Sequence, residues 1–296
     1  MNDKEVSIEL RSLSTARELE WTTQIHASIW SEDDIVPTHI LLAMVHNGGT
    51  AIGAFDGEKM VGFVFGFPGL QQHRGETRVK HCSHEMAVLP EYRDSGLGYK
   101  LKRAQWQLVR QQGLEWITWT YDPLQTRNAF LNISKLGAVC NTYFREYYGE
   151  MTDSMNAGLS SDRFQVDLWV NSKRVEKRMS RQPRRRLDLA HFLAAEAVVL
   201  NTTALDDNDF AVPQQDELPL IENPETRPAL VLFEVPANIQ QIKTVDMNLA
   251  RQWRGYSRIV FELLFHNHYI VTDVVYLPGV HPRAYYVLSQ GNSTLG

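Results

Sequence analysis

Apolar positions along this chain follow two rhythms, and the switches between them outline its elements. Val6–Leu10 begins a strand, and Ser14 is placed to cap a helix running to about Trp30, whose stripe is Leu19, Thr22/Thr23 and Ala27. After Pro37 a short helix carries Ile40, Leu41, Met44 and Val45. TAIGAF and KMVGFVFGF flank Asp56-Gly57, which predicts a hairpin closed by Pro68 and Gly69. A strand from Cys82 to Leu89 stops at Pro90. On the next helix, about Leu97–Gln111, the residues Leu97, Leu101, Ala104 and Leu108 share one face, and Gly113 ends it. WITWTY is a further strand, ended by Asp122-Pro123. A helix of about Arg127–Leu136 stops at Gly137, and strands near Val139–Tyr148 and Phe164–Val170 follow. Together these predict an α/β (α+β) fold, a mixed sheet flanked by helices.

Past residue 172 the character changes. Eight Lys or Arg fall in the fourteen positions Lys173–Arg186, which reads as a solvated connector. Residues 201–228 are irregular or short-stranded. Then come the strand ALVLFEV, Pro236, a loop, a helix with the stripe Leu249, Trp253, Tyr256, Val260, and the strand YIVTDVVY before Pro278. This order and spacing repeat those of Cys82–Pro123, with Tyr276-Leu277-Pro278 echoing Tyr121-Asp122-Pro123. We therefore expect two domains, 1–172 and 173–296, the second a smaller, degenerate copy of the first. The alternative is a chance similarity of two βαβ units. The second loop has no glycine and should not cradle a phosphate.

With 296 residues, 43% of them hydrophobic and 22% charged, either one large domain or two modest ones is affordable. A net charge of −5 gives no reason to expect a nucleic-acid partner. The two cysteines, Cys82 and Cys140, lie outside any CxxC pair, so neither a metal nor a disulfide framework is expected. The apolar runs are too short for a membrane span, and MNDKEVSIEL lacks a signal-peptide core, which together predict a cytoplasmic protein. Tyr99 and Trp106 lie opposite the leucine stripe of their helix. That face should be covered by the C-terminal segment or by another subunit, which leaves a homodimer open.

The chemistry concentrates in MAVLPEYRDSGLGYKLKRA. Arg93, Asp94, Ser95, Gly96, Leu97 and Gly98 follow a strand and open a helix. Successive backbone N–H groups there can converge on one anion, helped by the helix dipole. The glycines let a diphosphate touch backbone where a Cβ would intrude. A plain tight turn is the alternative, and neither GxxxxGK[ST] nor GxGxxG is present.

This segment resembles the GNAT (N-acetyltransferase) superfamily, whose signature [Gln/Arg]-x-x-Gly-x-[Gly/Ala] is matched by Arg93, Gly96 and Gly98. The resemblance covers about residues 6–172 in element order. HNGGTAIGAFDG, RNAF…KLGA, EYYGEM and LSSDRFQVDLWV are similar to a bacterial subgroup of GNAT proteins with an extra C-terminal portion. The resemblance implies transfer of an acyl group from acetyl-CoA, or another short acyl-CoA such as succinyl-CoA, to an amine. It implies that Met86, Ala87 and Val88 splay from the neighbouring strand and hold the pantetheine arm, and that Arg93–Tyr99 hold the diphosphate. A backbone N–H near Val88 would stabilise the carbonyl, and Glu85 would take the amine proton; strand alternation would let only one of His84 and Glu85 face the substrate. Ile133 stands where many members carry a thiolate-protonating Tyr. Asn132 cannot usefully give a proton; Tyr143 is the replacement candidate, with Tyr147 and Tyr148 behind it. For the acceptor, Trp30, Asp33, Asp34 and His39 lie where members close over substrate. Arg163 could grip a carboxylate on an amino-acid acceptor or on a dicarboxylic acyl donor, or bridge on the surface to Asp162 or Asp167.

Two functions follow. The first is an N-acyltransferase for a small-molecule amine, an amino acid being the candidate that Arg163 suggests; the second is a non-catalytic CoA-binding regulatory module, which Ile133 favours.

Overall fold

Asp56 and Gly57 turn the chain as their residue types require, Gly57 at φ +59°, and strands β2 (Thr50–Asp56) and β3 (Lys59–His73) pair antiparallel across them. The computed structural model describes residues 8–30, 35–73, 75–153, 155–180, 186–216 and 218–291. These divide into two compact units: residues up to Trp119 with Trp169–Asn171, and Thr120–Leu168 with everything from Ser172 on.

In the first unit β1 (Ile8–Ser12) lies antiparallel to β2, and β3 to β4 (Glu76–Val88). The β3–β4 hairpin outruns the expectation that Pro68 and Gly69 would close it. Pro68 stays in the ladder opposite His81, and the chain turns later, at Gly75, with φ +82°. Helix α1 (Ala16–Ile29) is capped by Thr15 rather than Ser14, because Glu18 completes a capping box with Thr15. With α2 (Thr38–His46), α1 covers one sheet face, where Leu19, Ile25 and Leu41 meet Phe55, Phe63, Phe65 and Ala87. Helix α3 (Leu97–Gln111) sets Leu97 and Leu101 against Ile52, Ala54, Val61 and Val64. Trp106 is covered, as its place on α3 demanded: 7% exposed, it donates from Nε1 to the Val170 carbonyl at 3.0 Å. The segment following β7 is therefore the cover. Strand β5 (Trp116–Tyr121) lies parallel to β4.

The second unit begins with α4 (Thr126–Ala129), which runs on as π-helix through Phe130–Lys135, then β6 (Val139–Phe144), β7 (Arg163–Trp169), α5 (Lys173–Met179) and α6 (Leu189–Ala194). Strands β8 (Val198–Val199), β9 (Asn201–Leu205) and β10 (Ala211–Asp216) follow, then α7 (Leu218–Glu222), β11 (Leu230–Val235), α8 (Ile239–Val245), α9 (Met247–His266), β12 (Tyr269–Leu277) and β13 (Arg283–Gln290). Its sheet runs β7-β6-β12-β13-β11-β8, with β9 and β10 as a separate hairpin.

Three expectations change here. Because β6 joins β12 at Cys140↔Val271, the division falls near Trp119 and not after residue 172. The repeated strand–helix–strand order is present as β11–α9–β12, but β13 lies between its two strands, whereas β4 and β5 are direct neighbours. The basic run is also more than a solvated connector. Arg174 donates from Nε to the Gly137 carbonyl at 2.9 Å and also to the Thr272 carbonyl. Arg178 donates to the Ile133 and Ser134 carbonyls at 3.0 and 2.7 Å and to Asp273 at 3.0 Å. These side chains satisfy carbonyls at the end of α4. No helix among the described residues is long and apolar enough to cross a membrane.

Candidate active site

Strand β4 carries one residue more than β3 needs. Phe65 pairs with Glu85 and Phe67 with Cys82, so two steps on β3 match three on β4, a bulge at Ser83–His84. Gly66 lies opposite it, where a Cβ would collide with His81 Nε2 and the Cys82 carbonyl. The bulge overrides the alternation expected of His84 and Glu85. His84 packs its ring against Phe65 and Phe67, with centroids 6.3 and 5.9 Å away, while Glu85 reaches His26 of α1. Both therefore stand on the α1 side.

Glu85 Oε1 meets His26 Nδ1 in a short, mostly buried pair. An ionised carboxylate only accepts, so Nδ1 is the donor. His26 Nε2 is buried, and the Trp30 ring centroid lies 5.0 Å from that of the imidazole. Sequence reasoning missed His26. Its one signal is that it falls seven residues after Leu19 and four after Thr22, on the buried stripe of α1.

Beyond the bulge β4 parts from β5. The two pair only at His81↔Ile117 and Cys82↔Thr118, so Glu85, Met86, Ala87 and Val88 keep β3 as a partner and have none on the β5 side. Met86 and Val88 pack towards Leu97 and Leu101; Ala87 is buried towards α1. A single 3₁₀ turn, Pro90–Tyr92, then leads into the signature loop. Asp94 (φ +64°) and Gly96 (φ +80°) both adopt left-handed backbone, and Ser95 Oγ donates to the Tyr92 carbonyl at 2.7 Å. Gly96 is the N-cap of α3 and supplies no side chain to it. The first backbone bond of the helix is Lys100 N–H to Gly96 O at 3.1 Å, so the amides of Leu97 and Gly98 point out of the helix end. A Cβ built on Gly96 meets no atom within 4 Å, so the turn is open at Gly96. Arg93 is exposed and donates from Nε to the Val88 carbonyl at 3.1 Å. Half-buried Tyr99 follows, its pKa raised by burial.

Residues 13–131, which hold every one of these groups, match the model of the Acetyltransferase (GNAT) family. Over this stretch the chain is similar to that family. Solved structures similar to the chain include the ribosomal-protein-S18-alanine N-acetyltransferase of Escherichia coli (16% identity, 55% of this chain and 94% of that one, TM-score 0.42). A GNAT-family acetyltransferase of Streptococcus pneumoniae is 15% identical over 55% of this chain and 99% of its own, with TM-score 0.42. Arabidopsis thaliana NAA60, in complex with acetyl-CoA, is 14% identical over 55% and 99%, with TM-score 0.44. Comparison with curated proteins finds no match.

The remaining candidates have these surroundings. Asp33 and Asp34 fall outside the described residues. His39 is exposed on α2, and Ile133 is fully buried in the π-helical stretch beside Asn132. Tyr143 and Arg163 belong to the second unit and are committed there. The Tyr143 hydroxyl donates to Asp162 at 2.6 Å; burial and that carboxylate raise its pKa, so it holds its proton. Asp162 is gripped by Arg258 through two bonds of 2.7 and 2.8 Å. Arg163 is not the surface residue that the sequence allowed. It is buried, donating to the Asp162 carbonyl at 2.9 Å and to Asn156 at 3.0 Å, and its fork is not open to a carboxylate ligand.

Proposed function

We propose that this chain is an acyl-CoA-dependent N-acyltransferase whose acceptor is the amine of a small molecule. What carries the reading is one strand. β4 loses its β5 neighbour after Cys82, bears Glu85 bonded to His26, and ends at the glycine turn whose amides open outward. The coenzyme diphosphate would sit on the Arg93–Tyr99 turn, drawn by the outward-pointing Leu97 and Gly98 amides and the α3 dipole. The pantetheine arm would take the vacant edge of Met86–Val88 as a further strand takes a sheet edge.

The GNAT family supplies the chemistry: a neutral amine attacks the thioester carbonyl, the oxyanion collects on a backbone N–H near Val88, the new C–N bond's nitrogen gives its extra proton to water, and the C–S bond breaks to release CoA thiolate. With Oε1 occupied by the His26 N–H, Glu85 has Oε2 left to accept the proton of the incoming ammonium. His26 positions it. Neither buried Ile133 nor committed Tyr143 protonates the thiolate, which is a tolerable leaving group and takes its proton from water. Trp30 beside His26 would form one wall of the acceptor site.

The test is release of free thiol from acetyl-CoA over a panel of amines and short peptides bearing free N-termini. Turnover with a small amine supports the reading. Tight CoA binding without thiol release from any amine would replace it with a regulatory CoA-binding module.

A further inference from the structure

We infer that the second unit carries a binding site of its own, for a small neutral saccharide, between the β9–β10 hairpin and the start of β13. The inference stands apart from the coenzyme reading above.

A cavity of about 470 Å³ opens there, lined by β9, β10, the end of β11, α8 and the loop from β12 to β13. One of its side chains is held by a buried charge. Glu234, 1% exposed, takes Arg283 Nε on Oε1 at 2.8 Å and Nη2 on Oε2 at 2.6 Å. Glu234 is fixed in turn by Asn201 of β9, which bonds its backbone N–H at 2.9 Å and its carbonyl at 3.1 Å. The Arg283 side chain stays 46% exposed, and its Nη1 has no partner among the described residues. Thr203, Asn208, Asn238 and Gln241 line the same space. Asn238 Oδ1 caps α8 by accepting from the Gln241 backbone N–H at 3.2 Å. The Asn238 Nδ2, the Thr203 hydroxyl and the carboxamides of Asn208 and Gln241 make no bond to any described residue.

The charges around the cavity do not call for an ion. Its one buried carboxylate is matched by Arg283 inside the protein, and Asp209, on the exposed rim, faces His281 Nδ1 at 3.9 Å. What the cavity offers is a hydroxyl and two carboxamides, each able both to donate and to accept, with two further donors on Asn238 and Arg283. A sugar hydroxyl has the same double capacity, and one ring presents several at once. A hydrocarbon ligand would strip water from these groups and return nothing. The apolar lining fits the C–H faces of a sugar ring. Leu205 of β9 is 49% exposed and Val280 of the β12–β13 loop is 90% exposed, with Ile242 buried. The volume lies within the roughly 300–1,000 Å³ of small-molecule pockets, room for one or two rings.

The experiment is a saturation-transfer NMR titration of the full chain with glucose, galactose, mannose, maltose and lactose, and with glucuronate as the charged counterpart of glucose. Melting shifts are no substitute, because sugars stabilise folded proteins by being excluded from their surface. At least one neutral sugar should bind with a Kd below about 10 mM, and glucuronate no more tightly than glucose. Thr203→Val and Gln241→Ala, which leave the intramolecular bonds around the cavity in place, should each weaken that sugar about fivefold. Arg283→Lys keeps a cation on Glu234 but loses the spare planar edge, and should weaken it about tenfold. No neutral sugar binding below about 10 mM, or tighter binding of glucuronate than of glucose, overturns the inference. So does an affinity unchanged in folded Thr203→Val and Gln241→Ala.

Discussion

In the proposed reading coenzyme binding turns on Gly96, whose backbone is left-handed at φ +80° with no atom within 4 Å of where a Cβ would stand. Valine there would strain the backbone by about 1–2 kcal/mol and put branched carbon over the amides. Gly96→Val should weaken CoA at least about tenfold in titration calorimetry, while the far-UV circular dichroism stays that of the parent. The proton-handling pair gives a second expectation. Glu85→Gln should lower kcat by about 10²–10⁴ and leave the affinity for CoA in place. His26→Asn, whose amide can still donate to Glu85, should retain more activity than His26→Ala, which a purely packing role for His26 would not give. At this scale the sequence was partly legible. Gly96, Gly98 and Arg93 announce themselves because a phosphate turn restricts residue type locally. His26 does not, since its partner is fifty-nine positions away and its meaning depends on how α1 lies across β4. Lys102 was equally silent, a charged residue beside an apolar stripe that Ser83, itself bonded to Gln105, draws inward.

Among the elements, α4 shows what an unusual helix end requires. At the end of its π-helical stretch α5 reaches the Ser134 carbonyl, and the Ile133 carbonyl that also accepts from the Gly137 N–H, with Arg178, which also bonds Asp273. Arg178→Ala would leave those acceptors and one carboxylate without this donor. A loss of about 2–3 kcal/mol in urea unfolding is expected, against a few tenths for a solvated connector residue such as Lys177→Ala. The hairpin at Asp56-Gly57, the stripe of α3 and the strand WITWTY could be read directly, because each is set by neighbours a few residues apart. The length of the β3–β4 hairpin could not, since Pro68 normally ends a strand and here tolerates its place opposite His81. β13 escaped for a different reason. Its pairing with β11 and β12 is long-range, and the repeat in sequence suggested that those two were neighbours.

For the molecule as a whole, the polar cluster of Lys102, Ser83, Gln105 and His81 in the first unit couples stability to pH. Burial first, and Lys102 second, lower the His81 pKa from 6.5 to about 4, and burial lowers that of Lys102 from 10.5 to about 7. Both folded values lie below the unfolded ones, so the stability each contributes is complete above its unfolded pKa and is lost as pH falls through the window between the two. Facing Lys102 are His81 and Cys82, whose thiol burial pushes up. The melting temperature should therefore decline from pH 10 towards pH 7 and again from pH 6.5 towards pH 4. Lys102→Met should flatten the first decline only. A pH profile of melting identical for parent and variant between pH 7 and 10 would show that Lys102 titrates normally. The extra residue in β4 has a consequence of another kind. A chain lacking His84 could run straight on from Cys82 along β5, its loose edge stitched into ordinary sheet. Such a shortened protein should melt later than its parent and ignore the coenzyme altogether: sturdier, and inert, for want of one surplus amino acid.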